Sequence, residues 1–366
     1  MDRAGNGWYA EQAWMLWLMT RSRWTIWMLA LCGALLMLLA LGTGGASKAE
    51  APLQTSRLGS YTPINSPPAG AEQVEIGFYP LAIYNLDQAS NTFYADLYVW
   101  LRWKGELNPS STLEFTNMVE EWGKLQEPLT QEPNQLPDGS NYQQFRVEGR
   151  FVQPFSLADY PLDSYSLNIR VEDTSNGVNT LAFVMDQASS GIDQKLEIPG
   201  WKLKGWRGST LEHAYGTNFG EIGEPSNYSV ANFEMVIERP LSFFLWKQML
   251  PLAIDVMAAL VGLMVNPRSI DARLALPMGA LLSAIFLQKG YSDTLPDLGY
   301  LVFMDRIYLL AYPLILVVLI RAIVAFSKLR TAGDGDVERV QSMDRRVAIT
   351  LGIAFTVGTT LMTMLR

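Results

Sequence analysis

The sequence predicts an all-β sandwich followed by an all-α membrane domain of four helices. Four long apolar stretches cluster after residue 240, whereas residues 74–238 contain only short runs rich in Val, Ile, Tyr and Phe. Charge divides the chain in the same way, because residues 51–238 hold 24 acidic and 11 basic side chains while the remainder is net basic. An acidic half joined to a basic, apolar half predicts an exported domain attached to a membrane domain.

The composition excludes several function classes. One Cys excludes an intrachain disulfide framework and a Cys-based zinc site, and one His excludes paired-His metal centres. The GxSxG, GxxxxGK[ST] and strand-borne GxGxxG motifs are absent. The net charge of −8 argues against nucleic acid as a partner. We therefore expect neither an enzyme nor a cofactor.

The chain opens with a targeting segment. An apolar stretch at residues 24–41 follows Arg21 and Arg23, and small residues then run to about Ala49. This pattern predicts a secretory signal peptide over residues 1–49, with an uncleaved anchor helix as the alternative. Cys32 lies inside the apolar run and not at its end, which argues against a lipoprotein anchor.

Residues 50–238 are predicted to form the sandwich. From Phe93 to Leu101, apolar residues alternate with more polar ones, which indicates a half-buried strand over residues 92–103. Similar runs occur at residues 142–151, 164–171, 181–185 and 229–237. Many short strands without amphipathic helices predict an antiparallel, immunoglobulin-like sandwich. The prolines of residues 50–72 predict an irregular lead-in.

Residues 239–366 are predicted to form the membrane domain. The expected helices span about residues 243–265, 272–288, 301–326 and 347–365, and the second is short for a membrane span. Lys and Arg side chains concentrate in the first and third connections. The positive-inside rule therefore places these connections in the cytoplasm and the sandwich outside.

Several motifs occur in the order of a known family. A turn runs from Phe155 to Ser164 around Tyr160-Pro161-Leu162-Asp163, Arg239-Pro240 leads into the first helix, and Leu295-Pro296 precedes a third helix containing Asp305. With these motifs the chain resembles the pentameric ligand-gated ion channels of the Cys-loop receptor superfamily. Gln153 and Leu167 stand where animal members carry the loop cysteines, which resembles the bacterial branch.

The resemblance implies a homopentameric ligand-gated channel in the bacterial inner membrane, with a periplasmic or extracellular N-terminal domain. Its partners would be other copies of the chain, membrane lipid, small inorganic ions and an unidentified stimulus. The alternative is a membrane-tethered sensor of the same fold that does not conduct. The residues implied to couple the two domains are Tyr160, Pro161, Asp163, Arg239 and Pro296.

The second helix carries a stripe suited to a pore. At 100° per residue, five of its positions lie within about 80° of one another. They are Asp271, Ala275, Gly279, Leu282 and Phe286. Apolar rings of this kind gate by dewetting, acidic rings favour cations, and the resemblance aligns Leu282 with the family's gate leucine. Close helix packing at Ala275 and Gly279 is the alternative.

The charges near the stripe bear on selectivity. Asp271 would line the cytoplasmic mouth, whereas Arg273 lies about 200° round the helix and should point away. Lys289 and Asp293 are expected at the outer mouth. We expect cation selectivity, although Lys289 falls near the angle of Asp271 and Pro277 could shift the helix phase.

The ligand stays open at this point. The resemblance places Tyr98 on a strand of the ligand pocket. It also implies a capping loop at residues 216–227, near Tyr215, Phe219 and Tyr228. The rings of these aromatic residues could hold a cation. The expected Trp-x-Pro-Asp pocket segment is not visible after Trp103. Calcium is the alternative, with candidate ligands Glu172, Asp173, Glu221 and Glu224. Protons, amines and divalent ions are all compatible with the sequence.

Two further titratable residues have competing interpretations. Asp255 lies inside the first helix, where a carboxylate is either functional or bonded to backbone freed by Pro251. His213 is interpreted as a surface or packing residue, with pH sensing as the alternative.

Overall fold

The structure is a computed structural model that describes residues 59–119, 125–220, 227–329 and 334–366. The signal peptide predicted for residues 1–49 lies outside the described residues. The described chain consists of a β-sandwich followed by four apolar helices that are long enough to span a membrane. The predicted fold class is therefore confirmed.

Twelve strands lie within the described residues. In chain order they are β1 (Ser60–Pro63), β2 (Glu72–Asp87), β3 (Thr92–Trp103), β4 (Leu113–Phe115), β5 (Met118–Val119), β6 (Leu125–Pro128), β7 (Asn134–Gln135), β8 (Asn141–Val152), β9 (Ser164–Asp173), β10 (Leu181–Met185), β11 (Lys202–Ala214) and β12 (Asn227–Glu238). One sheet has the order β1-β11-β12-β9-β4, and the other has the order β10-β2-β3-β8-β5, with β6 and β7 also paired to β8.

One strand pair departs from the antiparallel prediction. β10 runs parallel to β2, whereas the other pairs of described strands are antiparallel. The chain leaves β9 in one sheet and enters β10 at the edge of the other. Because no hairpin joins β10 to β2, local turn geometry does not fix their relative direction.

The sandwich core follows the alternation that the sequence predicts. Phe93, Leu97 and Leu101 of β3 are fully buried, and Trp103 ends the same strand. Across the interior, the rings of Phe78 on β2 and Phe233 on β12 stack with their centroids 5.3 Å apart. Apolar side chains from both sheets therefore fill one shared layer, as expected of packed sheets.

The prediction of an irregular segment over residues 50–72 was wrong for four residues. Ser60–Pro63 forms β1, which pairs with β11 from Ser60 opposite Ala214 to Pro63 opposite Leu211. All four side chains of β1 are exposed, so the segment carries no alternation of apolar and polar residues. A proline is compatible with this edge position, since an edge strand leaves half of its backbone groups unpaired.

Four helices follow the sandwich in the described part of the chain. They are α1 (Phe243–Gly262), α2 (Ile270–Ser292), α3 (Phe303–Leu329) and α4 (Asp334–Met364). The first seven residues of α1, Phe243–Met249, form a π-helical segment.

Two of the predicted helix lengths were wrong. α2 is longer than the predicted 272–288, and α4 begins thirteen residues before the predicted 347. Both predicted helices stopped at charged residues, because the predictions followed hydropathy. α4 continues through its charged residues, and one of them, Asp344, is fully buried between Arg273 and Arg321. Backbone hydrogen bonds hold a helix equally well through polar residues, so apolar length underestimates helix length.

One side of α2 packs against the rest of its own chain. Arg273, Pro277, Ala280, Ala284 and Tyr291 are buried on this side. Arg273 bonds to Asp344 of α4, whose other carboxylate oxygen accepts from Nε of Arg321 at 2.7 Å. Arg273 therefore points away from the Asp271 stripe, as expected.

We predict that Gly77→Ala lowers the melting temperature of the folded chain. A Cβ at Gly77 of β2 would lie 2.2 Å from the indole of Trp100 on the neighbouring strand. Relieving that overlap should cost about 1–3 kcal/mol. The matched control is Gly205→Ala on β11, where an added Cβ meets nothing within 4 Å. Equal melting temperatures for the two variants would contradict the close approach.

Candidate pore and coupling site

The stripe predicted on α2 lies on the side of the helix that its own chain leaves uncovered. Asp271, Ala275 and Gly279 are exposed, and Leu282 and Phe286 are 55% and 66% exposed. By contrast, Leu281 is partly buried and packs against the core. In a single chain, an apolar face of this length is unsatisfied in water and needs lipid or other copies of the chain to cover it.

Charged residues lie at both ends of the exposed face. Asp271 is in the first turn of α2, and Lys289 is in the last turn. Lys289 forms an ion pair with Asp293, four residues further along the chain. This pairing offsets the positive charge at that end, whereas Arg273 is withdrawn from the other end by its bonds to α4 and to the Leu263 carbonyl.

Asp163 and Arg239 meet at the junction of the sandwich and the helices. Nε of Arg239 donates to Oδ1 of Asp163 at 2.7 Å, and Nη2 donates to Oδ2 at 3.1 Å. The backbone N–H of Arg239 also donates to the carbonyl of Asp163 at 3.0 Å. The Asp163 side chain is 1% exposed, so this two-point ion pair is buried.

Aromatic and amide side chains enclose the pair. The Arg239 guanidinium lies 4.3 Å from the ring centroid of Trp201 and 5.0 Å from that of Tyr160. Tyr165 donates to Asp163 at 2.6 Å, and the amide of Gln88 donates to it at 3.2 Å. Gln88, Tyr165 and Trp201 could not be predicted as members of this cluster, because they come from distant segments that share no local sequence pattern with Arg239.

The enclosure determines how Asp163 ionises. Burial alone would raise the pKa of this carboxyl, but the hydrogen bonds and charge of Arg239 outweigh burial and hold the pKa below its usual value. The same carboxylate, together with burial, raises the pKa of Tyr165. Asp163 is therefore charged at neutral pH and Tyr165 stays a hydroxyl donor.

The turn around Tyr160 also holds the start of α3. The backbone N–H of Phe303 donates to the Ala158 carbonyl at 2.8 Å, and that of Met304 donates to the Tyr160 carbonyl at 3.1 Å. Pro161 is buried in the turn, and Pro296 is half-buried in the connection between α2 and α3. The structure therefore brings Tyr160, Asp163 and Arg239 into one cluster.

The four aromatic ligand candidates lie in two separate places on one chain. Tyr98 belongs to β3 and borders an open groove of about 420 Å³ that also includes Trp100, Tyr142 and Asp186. On the other sheet, the ring of Tyr215 meets those of Phe219 and Tyr228 edge-on at 5.0 Å and 5.8 Å. One chain therefore does not assemble all four rings around one site.

Glu172 is engaged by neighbouring side chains. Its Oε1 lies 2.7 Å from Nδ1 of His213, and its Oε2 accepts from the Tyr215 hydroxyl at 2.8 Å. The imidazole stacks on Tyr61 with centroids 4.1 Å apart, and it is buried. His213 is thus a buried packing residue and not a surface residue.

Two of the four calcium candidates, Glu172 and Asp173, lie within the described residues. Asp173 accepts backbone N–H groups from Ser175 and Asn176, at 2.9 Å and 2.7 Å. Glu221 and Glu224 lie outside the described residues. Among the residues that the structure describes, no group of three His, Cys, Asp or Glu side chains could hold a metal ion. Both oxygens of Glu172 already have hydrogen-bond partners, and the calcium site stays a prediction.

Asp255 lies partly buried on α1. Its Oδ2 has no hydrogen-bond partner among the described residues, so the expected bond to backbone freed by Pro251 is not seen at that oxygen.

Comparison with known proteins gives distant relatives. No protein-family model matches the chain. Ligand-gated ion channel 50 of Caenorhabditis elegans is 23% identical over 169 residues, which are 46% of this chain and 33% of that protein. The glutamate-gated chloride channel of Drosophila melanogaster is 23% identical over 166 residues, 45% of this chain and 35% of that protein. A gamma-aminobutyric acid receptor subunit beta of Caenorhabditis elegans is 24% identical over 176 residues, 47% of this chain and 30% of that protein.

These relatives confirm the resemblance to the ligand-gated channel family. All three are named as channels or as a receptor subunit, and none is named as an enzyme. The chain matches about a third of the length of each of them. They are animal proteins, so the assignment to a bacterial branch stays a prediction.

We predict that the stability supplied by the Asp163–Arg239 pair disappears in acid. A depressed carboxyl pKa contributes stability above the unfolded value of about 3.9, and this contribution is lost as pH falls through the folded value. Asp163→Asn should therefore lower the melting temperature most at neutral pH, and its difference from the unsubstituted chain should narrow as the pH falls below about 4. The measurement is thermal unfolding in detergent between pH 3 and pH 7.

The control for this prediction is Asp159→Asn in the same turn. The Asp159 side chain is 55% exposed and lies 3.4 Å from Arg366. Exposed pairs contribute about 0–1 kcal/mol, so this variant should change the melting temperature little at any pH. A loss at Asp163 that persists unchanged at pH 3 would contradict the assigned pair.

Proposed function

Since the chain is a distant homologue of the Cys-loop ligand-gated ion channels, we propose that it forms a homopentameric ligand-gated ion channel. The observation that carries this proposal is the exposed stripe of α2. The rest of the chain buries the opposite side of the helix. The stripe runs from the carboxylate of Asp271 to the bulky apolar side chains of Leu282 and Phe286. Copies of α2 arranged around an axis would cover this face and form a pore.

Five copies are proposed because the chain resembles the pentameric channels. Identical copies that contact one another head to tail form a closed ring when the rotation between neighbours closes. The proposed assembly is therefore a ring of five sandwiches above five helical bundles, with its axis along the membrane normal.

We further propose that the sandwich lies outside a bacterial inner membrane. The proposed domains are a signal peptide at residues 1–49, a ligand-binding sandwich at 50–238 and a pore domain at 239–366. The stimulus would act between neighbouring sandwiches, where Tyr215, Phe219 and Tyr228 of one copy could face Tyr98 of the next. This arrangement would unite the two groups of rings that one chain keeps apart. The chemistry of the ligand stays open.

We predict that Leu282→Thr opens the pore without a stimulus. Five leucines at one level form a constriction that water does not wet, and a polar ring lowers this barrier. The measurement is current through the purified chain in planar bilayers, after native mass measurement in mild detergent has shown five copies. A monomer or dimer, or a folded pentamer that never conducts, would remove the channel proposal and favour the non-conducting sensor.

The matched control is Leu281→Thr, one position along the same helix. Leu281 is partly buried against the core, so the substitution leaves a cavity and buries a hydroxyl. Such changes cost about 2–5 kcal/mol and should reduce the yield of folded protein without producing spontaneous current. A leaky channel in Leu281→Thr together with poor folding of Leu282→Thr would show that the pore-lining face of α2 is assigned wrongly.

The proposed pore is selective for cations. Five copies of Asp271 would concentrate cations at one mouth, while Arg273 is fully buried and Lys289 is paired with Asp293. The Drosophila relative is named for chloride, so selectivity needs a direct measurement in this chain.

We predict that Asp271→Asn weakens the preference for cations. The measurement is the reversal potential of the Leu282→Thr channel under a tenfold gradient of potassium chloride. Lys289→Gln is the control at the other mouth, and it should keep or strengthen the preference because it leaves the Asp293 carboxylates without their cation. A reversal potential near that of chloride before any substitution at Asp271 would overturn cation selectivity.

A further inference from the structure

Tyr291 occupies the last turn of α2, on the side of the helix that faces its own chain. Its side chain is 5% exposed. The ring stacks on Tyr160 of the sandwich turn, with centroids 5.9 Å apart and planes at 24°. It also lies 5.7 Å from the ring of Tyr308 on α3. Tyr291 therefore brings the pore helix into ring contact with the sandwich.

The hydroxyl of Tyr291 is held by α3. It donates to Asp305, whose Oδ1 also accepts from the amide of Gln288 at 3.0 Å. Oδ2 of Asp305 accepts the backbone N–H of Val302 at 3.1 Å. Each end of the Tyr291 side chain thus has a defined partner, which fixes the orientation of its ring.

The other side of this contact is joined to the buried ion pair. Tyr160 packs against Arg239, and Arg239 is bonded at two points to Asp163. A continuous series of contacts therefore runs from the sandwich through Asp163, Arg239 and Tyr160 to Tyr291. None of the coupling residues named above lies on α2, and Tyr291 is the contact on the pore helix itself.

Helix geometry relates Tyr291 to the gate. Tyr291 lies nine residues after Leu282, which is about 13.5 Å along the axis and 180° round it. A displacement of Tyr291 away from the pore axis therefore tilts the Leu282 face away from that axis. The same displacement toward the axis narrows the ring.

We propose that Tyr291 is the positioning residue through which the Tyr160 turn sets the tilt of α2. This inference rests on the proposed function, because it gives the stimulus acting on the sandwich a route to the pore-lining face. Neither the resemblance nor the relatives assign a role to Tyr291. The contact is made by the aromatic ring, and the hydroxyl serves to orient it.

The test is the rate at which a charged, water-soluble thiol reagent modifies Leu282→Cys in the full chain, followed by mass spectrometry. Cys32 is the single native cysteine, so Cys32→Ser supplies a clean background. Tyr291→Leu and Tyr160→Leu should each change this rate, by about two- to tenfold if the ring pair has its usual strength. Combined, the two substitutions should do no more than the stronger one alone, since both remove the same contact.

Two further variants separate positioning from folding. Tyr291→Phe keeps the ring and should restore the modification rate of the unsubstituted chain to within about twofold. Tyr84→Leu removes a tyrosine of β2 that bonds Glu148 and stacks on Tyr94, outside this series of contacts, and it should leave the modification rate within about twofold. Independent effects of Tyr291→Leu and Tyr160→Leu, or no effect of either, would overturn the inference.

This test does not depend on conduction. Current through Leu282→Thr decides whether the chain is a channel, whereas the modification rates decide whether Tyr160 and Tyr291 act as one unit. A conducting channel with independent effects would leave the proposed function intact and reject the role of Tyr291.

Discussion

The buried ion pair between Asp163 and Arg239 is the contact on which the rest of the described structure depends. Two charges taken out of water cost several kcal/mol each unless they are paired and hydrogen-bonded. Here the guanidinium satisfies both carboxylate oxygens, and Tyr165 and Gln88 supply further donors. Arg239 directly follows the last strand. Its bonds to Asp163 therefore fix where the chain enters the membrane domain, next to the turn that contains Tyr160 and Asp163.

The free face of α2 is a consequence of this anchoring. The turn above the ion pair bonds the first residues of α3, and α2 packs between α1 and α3 through its buried side. One side of α2 is thereby committed to its own chain, and the stripe from Asp271 to Phe286 is left without a partner in that chain. A ring of copies would satisfy every chain equally, which is why the exposed face supports an assembly more directly than any single sequence motif does.

Local patterns in the sequence were enough for part of the fold. Alternation predicted β3 to the residue, and hydropathy located the four helices. The same patterns failed for β1, for the parallel direction of β10 and for the start of α4 at Asp334. In each of these cases the deciding contact lies far away in the chain, as with Asp344 and Arg273, which are 71 residues apart. Tyr291 was missed for the same reason, since only the folded chain brings its ring to Tyr160.

The two ends of α2 are held by interactions of unequal strength. At the Asp271 end, Arg273 and Arg321 share the fully buried Asp344, and separating such a group leaves an uncompensated charge at a cost of about 3–5 kcal/mol. At the other end, Tyr291 meets the sandwich through a ring contact, and ring pairs contribute about 0.5–1.5 kcal/mol beyond their buried area. Separating the Tyr291 end from the sandwich is therefore less costly than separating the Arg273 end from α4. The Tyr291 end also keeps its hydrogen bonds to Asp305 of α3, so α2 and the start of α3 would move together. Such a motion tilts α2 about its Arg273 end, and Leu282 lies between the two ends.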